Sequence, residues 1–236
     1  MLNLLALTPL LVLITIQDTM TEINETKYYS PEEEKINISS HAAGLILSVV
    51  ALVLLVARAV VYGNLWHIAS FSIFGISLII LYAASTIYHS TREPVLRKRL
   101  RIVDHAAIYI LIAGTYTPFS LVTLNGSTGW WIFGITWGLA LIGITLKLFF
   151  TGRYEIISTL MYVFMGWVIV FAIEPLINNF STQGIAWLVA GGVAYTLGAI
   201  LYGIKIMKYN HATFHIFVLI GSAAHFVSVF FYVLPG

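Results

Sequence analysis

Cysteine is absent from this 236-residue chain. That excludes disulfides and thiolate-held metals, and leaves only nitrogen and oxygen donors for any metal the chain holds. Charge is nearly as scarce: 9% of residues are Asp, Glu, Lys or Arg, against 59% hydrophobic. A water-soluble domain carries about 25% charged residues, so these are too few to cover a globule in water. The composition points to an integral membrane protein. The net charge of +2 says little by itself; the placement of the charges says more.

Apolar runs of about 20 residues, the length a helix needs to cross hydrocarbon, recur near Ala42–Val61, Ile68–Tyr88, Ala106–Leu124, Trp130–Phe150, Ile156–Ile173, Ile185–Met207 and Phe214–Val233. The expected fold is all-α, a bundle of seven transmembrane helices joined by short connections. Gly191, Gly192 and Gly198 are placed to let the sixth helix approach a neighbour closely. Residues 1–19 stand apart from this plan: Leu2–Ile16 is apolar but short for a span, and lacks the basic flank and cleavage site of a signal peptide. Three segments are therefore expected: a leader (1–19), a cytoplasmic amino-terminal segment (20–40) and a membrane domain (41–236). Met20 as the true start, a dispensable leader and a short eighth helix remain open alternatives for the first part.

Basic residues orient the bundle. Arg92, Arg97, Lys98, Arg99 and Arg101 crowd the second loop, Lys147 and Arg153 flank the fourth, and Lys205 and Lys208 flank the sixth. The third loop (Asn125, Gly126, Ser127) and the fifth (Asn178 to Gln183) have none. By the positive-inside rule the even loops are cytoplasmic, the amino terminus inside and the carboxyl terminus outside. Of the twelve basic residues, Arg58 alone falls on the outer side, where it can snorkel from a helix end.

With that topology, His89 closes the second helix, Asp104 opens the third, and His211 and His215 open the seventh, all at one cytoplasmic level. Ser85 lies one turn before His89 on the same side, and the i, i+4 pair His211 and His215 shares one stripe about 6 Å apart. Any one of these at a helix end is most simply a solvated group. Together they are ionisable groups at membrane depth, which are costly and kept for a function. Three imidazoles and a carboxylate suggest a zinc site, and three protein ligands with an open fourth position is the catalytic pattern. His225 lies ten residues beyond His215, about 15 Å deeper. It is expected to be a hydrogen-bonded bundle residue, with a proton or water path as the alternative. His105 is expected to point to a different face from Asp104, in an interfacial role, and His67 to be solvated. His41 shares the inner level and is expected to support the site rather than ligate. Glu33, Glu34, Asn37 and Ser39 suggest a helix cap.

These residues also carry a resemblance. The run Glu33-Glu34…Asn37…Ser40-His41…Gly44, the Ser85-x-x-x-His89 pair, the block from Asp104-His105-Ala106-Ala107-Ile108-Tyr109 to Gly114-Thr115-Tyr116-Thr117-Pro118-Phe119, and the His211-x-x-x-His215 pair resemble the haemolysin III family. This is the bacterial branch of the progestin and adiponectin receptor superfamily, and the likeness covers about residues 31–236. It implies a seven-helix bundle with zinc (Zn2+) on His89, His211 and His215, Asp104 near the metal-bound water, and Ser85 supporting the site. It also implies a multi-pass protein of the bacterial inner membrane, with membrane lipid as partner and no nucleic acid. A ceramidase-like hydrolysis of lipid amides is the leading activity. The alternatives are a non-catalytic zinc-stabilised sensor or regulator of lipid homeostasis, and a membrane-permeabilising haemolysin.

Overall fold

The computed structural model describes residues 26–151 and 155–234. The leader 1–19, Met20 and Arg153 lie outside them. Seven helices among the described residues are long and apolar enough to cross a membrane: α1 Pro31–Tyr62, α2 Leu65–Ser90, α3 Pro94–Leu124, α4 Gly126–Phe150, α5 Ile156–Asn179, α6 Thr182–Gly203 and α7 Asn210–Val233.

Local sequence accounts for most helix starts. Ser30 caps α1 by accepting from Glu33 N at 3.2 Å, with Pro31 at the first helical position. Asn64 accepts from the Trp66 and His67 amides at the head of α2. Glu93 does the same for Val95 and Leu96 before Pro94-led α3, and Ser181 caps α6 through Gly184 N. The residue before α7, Tyr209, is left-handed at φ 59° and makes no side-chain cap.

The first helix starts eleven residues before the expected Ala42. Hydropathy assigned the polar run Glu33–His41 to a segment ahead of the membrane helix. In the structure Glu33, Asn37, His41, Gly44 and Ser48 form one buried stripe of α1, while Ile46, Leu47, Val50 and Val53 on other faces are exposed. This arrangement, polar inward and apolar outward, suits a helix facing lipid. A second correction concerns the second connection. Only Arg92 lies in it, and Arg97, Lys98, Arg99 and Arg101 belong to the first turns of α3.

The core gathers Leu55, Phe71, Phe74, Leu111, Phe119 and Val218 from four helices. Glycines on α6 bring α7 close: a Cβ at Gly198 would lie 2.7 Å from Phe217 Cβ, and one at Gly191 would strike the His225 ring. Gly192 instead faces Trp167 at ordinary contact distance. Three spans depart from α geometry. After Pro118, α3 finishes in a π-helical turn over Phe119–Leu124, and α7 finishes likewise over Val229–Val233. A 3-10 turn, Val168–Ala172, interrupts α5.

Candidate metal centre

His89 stands in the last turn of α2, and His211 and His215 in the first turns of α7. All three are buried, and a ring nitrogen of each lies within 4.8 Å of the others. His211 Nε2 and His89 Nε2 are 3.1 Å apart. A tetrahedral site with metal–nitrogen bonds of about 2.0–2.1 Å has ligand–ligand edges near 3.3 Å. The donor set therefore fits a divalent cation, using neutral imidazoles and no thiolate.

Two adjacent carboxylates of α1 hold this cluster from both sides. His89 Nδ1–H donates to Glu34 Oε2 at 2.6 Å, which leaves Nε2 as a lone pair facing the other histidines. The other Glu34 oxygen pairs with Arg97 Nη2 and accepts from Tyr29 N. Arg97, only 2% exposed, also donates to the carbonyls of Tyr88, His89, Thr91 and Lys27, so one guanidinium closes the end of α2. Meanwhile Glu33 Oε1 accepts from His211 N at 3.2 Å and Ala212 N at 3.3 Å. That contact supplies α7 with the cap its own sequence lacks.

Aromatic rings enclose the cluster. Tyr29 stacks on His211 at 4.4 Å and 12°, and burial holds its phenol far above the ordinary tyrosine value, so it stays neutral. His41 stacks on His215 at 3.6 Å and 11°.

Beside the cluster opens a cavity of about 190 Å3. Its polar end is lined by His41, Ser85, Asp104, His211 and His215; its body is apolar and runs between α3, α5, α6 and α7. The structure thus brings Asp104 and Ser85 to the same end as His211 and His215, while His89 stands behind them, outside the lining. Ser85 is fully buried, and its hydroxyl faces the Asp104 carboxylate.

The remaining histidines divide. His225 lines the cavity, its Nε2 engaging Leu188 O at 3.1 Å and its ring edge-on to Tyr195, a bundle residue as expected. His105 departs from expectation: it lines the cavity beside Asp104, because the space is wide enough to be reached from neighbouring faces of α3. Lys147, read as a flanking charge, is buried at 3% and lines the same cavity. His67 is half-buried and completes a capping box with Asn64 instead of standing free in solvent. Arg58, expected to snorkel, donates to Leu234 O at 2.8 Å. Sequence reasoning missed the roles of Glu33, Glu34 and Arg97. No local signal singles them out, because Glu33 and Glu34 stand in a run with Glu32 and Lys35, and Arg97 stands among Lys98, Arg99 and Arg101.

Fold and site together define a class: a seven-helix membrane protein with a buried three-histidine cluster at one end of an apolar cavity. The chain belongs to the haemolysin III family, for the family described as "Haemolysin-III related" matches residues 29–226. It is 46% identical over 204 residues to "Hemolysin-3" of Bacillus cereus, covering 86% of this chain and 93% of that one. It is 45% identical to the "Hemolysin-3 homolog" of Bacillus subtilis (strain 168), covering 86% and 96%. A more distant likeness, 26% over 212 residues, links it to the human "Monocyte to macrophage differentiation factor", covering 85% and 84%.

Proposed function

We propose that this protein is a zinc-dependent hydrolase of lipid amides, seated in the bacterial inner membrane with its histidine cluster on the cytoplasmic side. That orientation puts the amino terminus inside and the carboxyl terminus outside, and rests on the distribution of Lys and Arg. One observation carries the hydrolase reading: of three convergent imidazoles, two line the polar end of an apolar membrane cavity together with a buried carboxylate and a buried hydroxyl.

His89, His211 and His215 would hold the cation, which when bound supplies Lewis acidity toward a carbonyl oxygen and acidifies water. The chain's own residues do the rest. Asp104 accepts the proton of the attacking water on a carboxylate oxygen and returns it to the departing amine nitrogen. The Ser85 hydroxyl, beside the Asp104 carboxylate, donates to the substrate carbonyl oxygen as negative charge develops there. The apolar body of the cavity takes the acyl chain and excludes bulk water from the polar end. Glu34 fixes the tautomer of His89, and Glu33 fixes the start of α7.

Asp104→Asn separates the roles. The variant is expected to keep its metal and its bound lipid while turnover of a long-chain acyl amide falls about a hundredfold or more. Turnover equal to wild type would remove Asp104 from the chemistry. Metal-loaded wild-type protein that consumes no lipid amide would leave a metal-stabilised membrane regulator in place of an enzyme.

A further inference from the structure

The histidine cluster is covered from two directions, and the cavity accounts for one of them. His211 and His215 line the cavity, whereas His89 does not. Over His89 and His211 lies a short non-helical stretch, residues 26–30, just ahead of α1. Its Tyr29 ring stacks on His211 at 4.4 Å and reaches the His89 ring at 5.9 Å, outside the cavity lining. The preceding Tyr28 is 47% exposed. This stretch therefore has solvent on one side and two candidate metal ligands on the other.

It is tied down at separate points. Arg97 Nε donates to Lys27 O at 2.9 Å, Tyr28 OH to Arg92 O at 3.0 Å, and Lys27 Nζ to Tyr202 OH at 3.4 Å. The Tyr29 amide donates to Glu34 Oε1 at 3.3 Å, and the Arg97 guanidinium lies 4.6 Å from the centre of the Tyr28 ring. These ties are single side-chain contacts to α1, α3, α6 and the connection before α3, rather than a backbone ladder. A segment so held opens locally at far lower cost than a helix. The other direction offers a cation no comparable route. The body of the cavity is apolar, and a divalent ion does not leave water to cross apolar space.

We propose that residues 26–30 form a strap that gates the metal centre: the cation enters and leaves when the strap lifts, and Tyr29 closes over His211 behind it. This rests on the histidine cluster as a metal site and not on the hydrolase reading. Glu34 joins the gate to the site, since one of its oxygens takes the Tyr29 amide and the other takes His89 Nδ1–H. A gate has a kinetic signature. Opening is a step of entry and of exit alike, so a weaker strap speeds both and leaves the affinity unchanged. A ring that merely steadied His211 would act on release alone, and on affinity with it.

The test reads metal exchange and no turnover. Full-length protein in nanodiscs is loaded with zinc, and release to an excess of chelator is timed; uptake of zinc by the stripped protein is timed with a fluorescent zinc indicator. Tyr29→Ala keeps the backbone bond to Glu34 and removes the ring. Release and uptake are each expected to quicken about tenfold, the worth of one ring stack, with affinity held within about threefold. Tyr28→Phe touches no histidine and cuts only the tie to Arg92 O; both rates are expected to rise about two- to fivefold. Gly166→Leu, which fills the cavity, is expected to leave both rates at the wild-type values. Faster release with unchanged uptake in Tyr29→Ala makes Tyr29 a support for His211 and overturns the gate. So do unchanged rates in Tyr28→Phe, or slowed uptake in Gly166→Leu, which would route the cation through the cavity. Wild-type protein that takes up no zinc overturns the metal centre and the gate together. A failure of hydrolysis touches neither.

Discussion

Two of the helices that line the cavity differ sharply: α3 has 67% of its membrane window buried and α5 only 17%. The difference follows from how each is fastened. α3 enters the bundle with Arg97 bound to four carbonyls and to Glu34, and carries Asp104 beside the histidines. α5 is attached by neutral bonds around its 3-10 turn. Tyr116 OH donates to Gly166 O and accepts from Ile169 N, and Trp167 Nε1 donates to Thr196 Oγ1. Charged ties inside a membrane are strong because no water competes for them, and costly to break for the same reason. The polar wall therefore sets the geometry of the metal centre, while the lipid-facing wall sets what fits beside it.

Variants on the polar wall should change metal content and stability. The largest effect is expected from His211→Ala/His215→Ala, which removes two of three donors. Metal analysis of the purified protein should fall from about one equivalent to near zero, and undiminished metal would end the assignment. Arg97→Leu comes next. It leaves the Glu34 carboxylate without its cation and four carbonyls without a donor. The expected loss is about 2–3 kcal/mol, below the roughly 3–5 of a fully buried pair because Glu34 keeps some solvent contact. Thermal unfolding in detergent measures it. Glu34→Gln retains the shape but not the charge that orients His89, and metal affinity should weaken about ten- to a hundredfold in a chelator competition.

The lipid-facing wall should respond in the opposite way. Gly166 lines the cavity, and a Cβ there meets nothing within 4 Å. Gly166→Leu should therefore fill cavity space, weakening binding of a long-chain acyl amide about tenfold while metal content stays at the wild-type value. Loss of metal in this variant would show that the two walls are one cooperative unit.

The same contrast explains what the sequence disclosed. The seven spans were legible because membrane length and hydropathy are local properties, and so was the histidine triple, since i, i+4 spacing and topology place it. The charged ties were not. Glu34 meets His89 across 55 residues and Arg97 across 63, and Glu33 meets His211 across 178. Read locally, Glu33 and Glu34 look like cap residues of their own helix, whereas Ser30 takes that role. A count of basic residues treats Arg97 like any loop arginine, although it is among the most buried side chains of the described residues. His105 was misplaced by assuming that neighbours about 100° apart on a helix cannot share a space. That assumption fails where the space is a wide cavity.

Glu33 gives the smallest effect and the finest test of the polar wall. Its carboxylate sits at the positive end of α7, accepting from two amides that have no local cap. Glu33→Gln keeps an oxygen to accept those bonds and removes only the charge that favours the helix dipole, so the expected loss is about 0.5 kcal/mol. Glu33→Ala removes the acceptor as well and should cost about 1–2 kcal/mol, as for a lost N-cap. Both variants should lose metal affinity in proportion to stability, because the amides that Glu33 fixes belong to His211 and its neighbour. A Glu33→Ala protein that unfolds earlier yet binds metal with wild-type affinity would show that α7 presents its histidines without help from α1. The adjacent carboxylates would then have separate tasks, Glu34 serving the cation and Glu33 the fold.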